Sequence, residues 1–217
     1  SDYICSNGVV IDKTSPIISN ISTPSKGSGE DATLTDTKAD MTFTASESGT
    51  YFYIVKKSSE DAPAAINDFA DSSVDSNTGM TVWTEKESVT AAAMTADDSN
   101  KLSLTGLTAN TAYTVYVIGV DRAGNASNVL SKKFTTCRTM PKVTTNPTLS
   151  GTYGTAVKDM TVTNGVAKAG DTVIDGTWTL TDTKVSDVPS VGTTNTYEVT
   201  FTPDAKYNGQ YETVKVS

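Results

Sequence analysis

The clearest signal in this sequence is a two-residue alternation in the stretch "AYTVYVIGV", residues 112–120. Successive side chains of an extended strand point to opposite faces. Tyr113 and Val115 therefore share one face, and Tyr116 and Ile118 share the other. Both faces are rich in apolar groups, so the pattern predicts a long strand that is covered on both sides.

Segments with weaker alternation recur along the whole chain, and segments rich in Thr, Ser, Asn, Asp and Gly separate them. Such a sequence is typical of short strands joined by turns, because Thr suits a pleated, half-exposed sheet and the other residues suit turns. Long runs of helix-forming residues are missing. The sequence therefore predicts an all-β fold, with further strands at 39–46, 50–57, 101–107, 128–137, 176–180 and 196–203.

The composition excludes several classes of function. The chain has no histidine, which removes the commonest general base and the commonest metal ligand. A formal net charge of −8 disfavours nucleic acid as a partner. No apolar run approaches the roughly 20 residues of a membrane span, so we expect no membrane insertion. We accordingly predict no enzyme activity, no cofactor and no bound metal.

Residues 58–80 differ from the strands around them and contain the one segment with helical character. Pro63 suits a helix start, and Asp61 suits the positive end of the helix dipole. We predict a short helical insert of one or two turns, packed over the second face of the sheet. Its apolar face would consist of Ala65, Ile66, Phe69 and Ala70.

The long strand breaks off into "DRAGN", residues 121–125, which has two interpretations. Oxygens of Asp121 and Asn125 could bind Ca²⁺. Alternatively, Asp121 caps a turn in which Gly124 and Asn125 accept positive φ angles. We favour the turn, because the segment lacks the dense run of acidic ligands of a dedicated calcium site.

The prolines at 141 and 147 bracket a polar stretch that resembles a linker. The predicted organisation is a leader at 1–13, a first domain at 14–138, a linker at 139–147 and a second domain at 148–217.

The stretch "LTGLTANTAYTVYV" resembles the corner between the fifth and sixth strands of fibronectin type III domains, with Leu107 and Tyr113 at the matching positions. Ala109 departs from the proline often found there. Together with "SESGTYFYIV", "APAAINDF" and "DRAGNASN", it resembles the fibronectin-type repeats of bacterial cell-surface proteins over residues 39–136. The resemblance implies an immunoglobulin-like sandwich in which the Tyr113 hydroxyl bonds to backbone a few residues upstream.

The leader "GVVIDKTSPIIS" resembles a junction between consecutive modules of such proteins, so we expect residues 1–13 to be the last strand of an upstream module. The segments "TYGTAVKD", "GTW" and "VGTTNTYEVTFTPDAKYNGQY" resemble short β repeats of Gram-positive surface proteins. Either an immunoglobulin-like or a β-grasp-like fold is open for this second domain.

Three groups of side chains are candidate sites. Trp83 and Trp178 could stack on sugars, although we expect Trp178 to be core and favour packing for Trp83 as well. The second group consists of two acidic pairs, Asp97 with Asp98 and Asp182 with Asp187. Both pairs lie in polar segments typical of loops, so we favour solvent-exposed carboxylates over a catalytic pair. Cys5 and Cys137 could form a disulfide, but we favour two free thiols.

The predicted function is that of non-catalytic structural or adhesion modules in a large secreted or wall-attached bacterial protein. An alternative is a carbohydrate-binding or accessory region of an extracellular glycoside hydrolase. The partner is open between a glycan and a protein of the host or cell wall, and we expect a monomer within a longer multidomain chain.

Overall fold

The computed structural model describes residues 3–4, 10–26, 32–77, 79–184, 186–190, 192, 195–207 and 210–217 of the 217-residue chain. It divides into two compact units, Ser1–Cys137 and Arg138–Ser217. The described residues form strands, turns and isolated 3-10 turns, without an α-helix. The all-β prediction is therefore confirmed.

The first unit contains the strands β1 (Tyr3–Ile4), β2 (Val10–Ile11), β3 (Ile18–Ser19), β4 (Ala39–Ala45), β5 (Gly49–Lys57), β6 (Ala70–Val74), β7 (Thr81–Glu85), β8 (Thr90–Met94), β9 (Asn100–Leu104), β10 (Ala112–Asp121) and β11 (Leu130–Thr135). They form a three-stranded sheet of order β3-β4-β9 and a four-stranded sheet of order β11-β10-β5-β8. Two hairpin-like pairs, β1 with β2 and β6 with β7, complete the unit. All of these pairings are antiparallel.

The main core lies between these two sheets. Phe43 of β4 and Leu102 of β9 are fully buried against Val115 of β10 and other side chains of the four-stranded sheet. The sheets are also joined by hydrogen bonds, because the hydroxyls of Tyr51 and Tyr53 on β5 donate to backbone carbonyls of β9. The face of β10 that carries Tyr113 and Val115 is therefore covered, as the alternation predicted.

The other face of β10 is covered by the 58–80 insert, although not by the predicted helix. Ile66–Asp68 is a single 3-10 turn, and the chain then enters the hairpin of β6 and β7. The turn does not continue as a helix because the chain becomes extended at Ala70, where the segment "ADSSV" pairs with "TVWTE". Phe69 is completely buried beside Ile118, so the insert does pack over this face.

The second unit is built from smaller sheets. Its strands are β12 (Lys142–Thr145), β13 (Thr148–Ser150), β14 (Thr161–Thr163), β15 (Val166–Ala169), β16 (Thr172–Ile174), β17 (Gly176–Leu180), β18 (Val199–Pro203) and β19 (Val214–Val216). The sheet orders are β12-β15-β16, β13-β14 and β17-β18-β19. Single 3-10 turns lie at Val157–Asp159 and Ala205–Tyr207. Phe201, Ala167 and Ile174 form its buried cluster.

The predicted linker at 139–147 contains a strand. β12 pairs with β15, and Pro141 is almost completely buried, so this segment belongs to the second unit. Its polar threonines concealed the strand, because only Val143 alternates with them. In the predicted leader, β1 pairs with β2, and residues 1–2 and 5–9 lie outside the described residues.

Candidate functional site at the turn after β10

The strand β10 ends at Asp121, whose side chain organises the turn that follows. Asp121 is only 7% exposed. Its Oδ1 accepts hydrogen bonds from the backbone N–H of Ala123 at 2.8 Å and of Asn125 at 2.9 Å. Gly124 has a φ of +91°, which an L-residue with a side chain rarely adopts. These are the contacts of a turn capped by its own first residue.

Asn125 ties this turn to a distant part of the chain. Its Nδ2 donates to Asp121 Oδ2 at 2.8 Å and to the backbone carbonyl of Asp12 at 3.2 Å. The segment that precedes β3 is thereby attached to the end of β10. The sequence gives no sign of this contact, because 113 residues separate the two partners.

The same attachment assembles an acidic cluster. Carboxylate oxygens of Asp12, Glu47 and Asp121 lie within 4.8 Å of one another. Negative charges at this separation repel one another. A cation would relieve that repulsion, and Ca²⁺ prefers oxygen ligands of this kind. Asp121 already accepts three hydrogen bonds from its own turn, so both of its carboxylate oxygens have hydrogen-bond partners. The sequence indicated only Asp121 and Asn125 as oxygen ligands, and the structure brings Glu47 and Asp12 to the same place.

Trp83 lies on β7, opposite Ser72 of β6. Its Nε1 donates to the carbonyl of Gly124 at 3.3 Å, and its half-buried ring packs against the second core cluster. Trp83 also lines an open groove of about 330 Å³ together with Met80 and Arg122. The indole thus both packs and contributes to a surface groove, and the glycan contact stays a prediction.

Leu107 and Tyr113 form a compact corner before β10. The Tyr113 hydroxyl accepts a hydrogen bond from the backbone N–H of Thr108 at 3.0 Å. The Tyr113 ring stacks on Phe134 of β11, with centroids 5.8 Å apart. Leu107 is 7% exposed and belongs to the main core. The corner is therefore stabilised by both a hydrogen bond and apolar packing.

Trp178 packs within the second unit. Its ring lies against Phe201, with centroids 4.9 Å apart. The backbone of Gly165 approaches so closely that a Cβ there would lie 2.3 Å from Trp178 Cε2. The indole is therefore fixed between a side chain and a backbone segment.

The candidate acidic pairs have structural contacts of their own. Asp98 Oδ1 accepts from the backbone N–H of Ser99 at 2.7 Å. Asp182 accepts from the backbone N–H groups of Glu198 and Lys184, and these bonds lower the pKa of its carboxyl. The backbone carbonyl of Asp187 accepts from Val157.

An open groove in the second unit has a volume of about 600 Å³. β13 lines one part of it, and Tyr197, Val199 and Val216 line another. Its described lining holds no Asp, Glu, Lys or Arg side chain. The described residues of this groove therefore do not supply the charged side chains that general acid–base catalysis commonly uses.

Cys137 is half-buried, and its Sγ lies 3.5 Å from the carbonyl oxygen of Leu34. Cys5 lies outside the described residues, so the state of the two thiols stays a prediction.

None of the described helical segments has the length and apolarity needed to cross a membrane. Comparison with protein-family models, curated proteins and solved structures found no match.

Proposed function

We propose that this chain is a pair of non-catalytic β modules from a large secreted or wall-attached bacterial surface protein. The modules act as spacers that hold a functional region away from the cell and display it. The proposal rests on the arrangement of the first unit, where sheets of order β3-β4-β9 and β11-β10-β5-β8 enclose one core. This three-plus-four order and the Tyr113 corner fit a fibronectin type III-like sandwich.

The character of the side chains supports a mechanical role. Carboxylates such as Asp121 and Asp182 accept hydrogen bonds from backbone N–H groups of turns, and the described lining of the 600 Å³ groove holds no charged side chain. Antiparallel sheets resist extension because their strands are joined by many backbone hydrogen bonds. Folded modules of this kind keep a defined length under load, as a spacer requires.

Single-molecule pulling of the full chain tests the spacer function directly. We expect two separate unfolding events, whose contour lengths correspond to residues 1–137 and 138–217. The same preparation should not hydrolyse glycosidic, peptide or ester substrates. Hydrolysis that is lost in Asp182→Asn or Asp98→Asn, with folding unchanged, would replace the proposal with an enzyme.

A second candidate is glycan binding at the Trp83 groove, favoured by the aromatic wall that this groove presents. An indole face binds the C–H face of a pyranose, and Arg122 at the groove offers hydrogen-bond donors to sugar hydroxyls. A glycan array with the wild type, Trp83→Ala and the neighbouring Thr84→Ala tests this function. Binding that Trp83→Ala abolishes and Thr84→Ala retains supports it, and an array without any signal rejects it.

A further inference from the structure

The connection between β14 and β15 is a two-residue corner, Asn164-Gly165. β14 pairs with β13, whereas β15 pairs with β12 and β16, so the corner carries the chain from one sheet to another. Asn164 is exposed and has a φ of +63°. Asparagine is one of the few residues with a side chain that tolerates this left-handed conformation.

The second residue of the corner is constrained by packing. A Cβ at position 165 would lie within 2.7 Å of three atoms of the Trp178 indole. Glycine is therefore required for the backbone to pass beneath the ring. The conformation of residue 164 and the indole above residue 165 together favour the dipeptide Asn-Gly.

This dipeptide has a reactivity of its own. We propose that Asn164 is a site of spontaneous deamidation and isoaspartate formation in the folded protein. The backbone nitrogen of Gly165 attacks Asn164 Cγ, a C–N bond forms, and the bond from Cγ to Nδ2 breaks. Nδ2 leaves as ammonia with the proton from the Gly165 nitrogen. Water then opens the cyclic imide at either carbonyl, and the products are aspartate and isoaspartate.

The contacts of Asn164 permit this reaction. Its Nδ2 donates only long hydrogen bonds, 3.3 Å to Thr148 Oγ1 and 3.4 Å to Thr163 Oγ1. Both threonine contacts are at the exposed surface, where water competes for them. Gly165 has no side chain to hinder its nitrogen, so the attack is not blocked from that side.

Isoaspartate has a structural consequence that aspartate lacks. It inserts one additional methylene into the backbone immediately before Gly165, which lies beneath Trp178. The ring of Trp178 contacts Phe201 of the buried cluster. The modification therefore displaces the backbone at a point where the second unit has little room to adjust.

Peptide mapping of the full chain after incubation at mildly alkaline pH tests the proposal. We expect progressive loss of the unmodified peptide that contains Asn164, with aspartate and isoaspartate products in its place. Asn110 is the internal control, since it is also exposed with a φ of +49° but precedes Thr111. Loss at Asn164 that is no faster than at Asn110 would overturn the proposal.

Two variants separate the chemistry from its structural effect. Asn164→Gly keeps the left-handed backbone accessible and should abolish both products. Asn164→Asp reproduces one product without the additional methylene. In a Trp83→Phe background, Trp178 emission should shift during incubation of the parent and not in Asn164→Gly. Fresh Asn164→Asp should match the unincubated parent. An equal shift in Asn164→Gly would show that the backbone insertion is not its cause.

Discussion

The two units reach an all-β fold with very different cores. Among the described residues of the first, sixteen buried side chains form one cluster between two sheets, and five more form a second cluster under the insert. Among those of the second, three buried residues form the cluster, with Trp178 and Tyr207 among the side chains packed against it. Burial of apolar surface dominates stability. The second unit should therefore be the weaker, and it depends on few side chains.

Polar contacts partly compensate for the small core of the second unit. Threonine hydroxyls pair across its strands, for instance Thr148 with Thr163 and Thr181 with Thr200. These pairs are exposed to water, and a net hydrogen bond contributes only about 1 kcal/mol. They define strand register more than they stabilise the unit.

The largest effect should come from Phe201→Ala. It removes one of the three residues of the buried cluster, and a buried Phe→Ala change costs about 3–5 kcal/mol. The second unit should unfold, while the first stays folded. Each unit carries one tryptophan, Trp83 or Trp178, so urea titration followed by emission of single-tryptophan variants reports each unit.

Phe43→Ala is the matched control, because Phe43 is also fully buried but belongs to the larger cluster. It should lower the stability of the first unit by a similar amount and leave that unit folded. If Phe43→Ala unfolds the first unit and Phe201→Ala leaves the second folded, the comparison of the two cores is wrong.

Tyr113→Phe should have an intermediate effect on the first unit. It removes the hydroxyl that accepts from the Thr108 N–H, and an unsatisfied partly buried donor costs about 1–3 kcal/mol. Urea titration of Trp83 emission measures the loss. Tyr153→Phe, at a side chain that is 87% exposed, should change neither unit. A neutral Tyr113→Phe would mean that water replaces the lost acceptor.

Asn125→Ala should release the segment before β3 with a smaller change in global stability. It removes the hydrogen bonds to the Asp12 carbonyl and to Asp121 Oδ2, and each contributes about 0.5–1.5 kcal/mol. Trypsin should then cleave after Lys13 faster than in the wild type. Asn128→Ala, an exposed neighbour in sequence, is the control, and equal cleavage rates in both variants would contradict the attachment.

The smallest effect is the response of the second unit to acid. Backbone N–H groups lower the pKa of Asp182, and the Lys215 ammonium lowers that of Glu198. Carboxyls with a depressed folded pKa stabilise the fold above their unfolded pKa of about 4, and this contribution is lost as pH falls through the folded value. The urea midpoint followed by Trp178 emission should therefore show a small acid transition, a decrease as pH falls through this range.

Asp182→Asn should make this transition less steep, because the amide does not titrate. In the first unit, the Ala64 and Ala65 N–H groups lower the pKa of Asp68 in the same way. The acid transition of the first unit, followed by Trp83, should not respond to Asp182→Asn. A response of both tryptophans would indicate that the units do not titrate separately.

Local sequence patterns predicted the strands in which apolar and polar residues alternate strongly. β4, β5, β9, β10 and β17 lie where the sequence predicted them, because a two-residue period specifies both the strand and its buried face. The turn after β10 was equally visible, although of the two residues predicted to have positive φ angles only Gly124 has one. The strand β6 was not, because its polar sequence alternates weakly and it lies in the insert for which a helix was predicted.

Contacts between distant residues were invisible in the sequence. The carboxylates of Asp12, Glu47 and Asp121 meet because the chain before β3 returns to the end of β10. Gly165 could be recognised as a turn residue, but the need for a glycine there comes from the Trp178 ring above it. Periodicity and turn chemistry act over a few residues, and they specify which segments are strands. Which side chains meet at a site depends on how the sheets pack, and only the folded chain brings those side chains together.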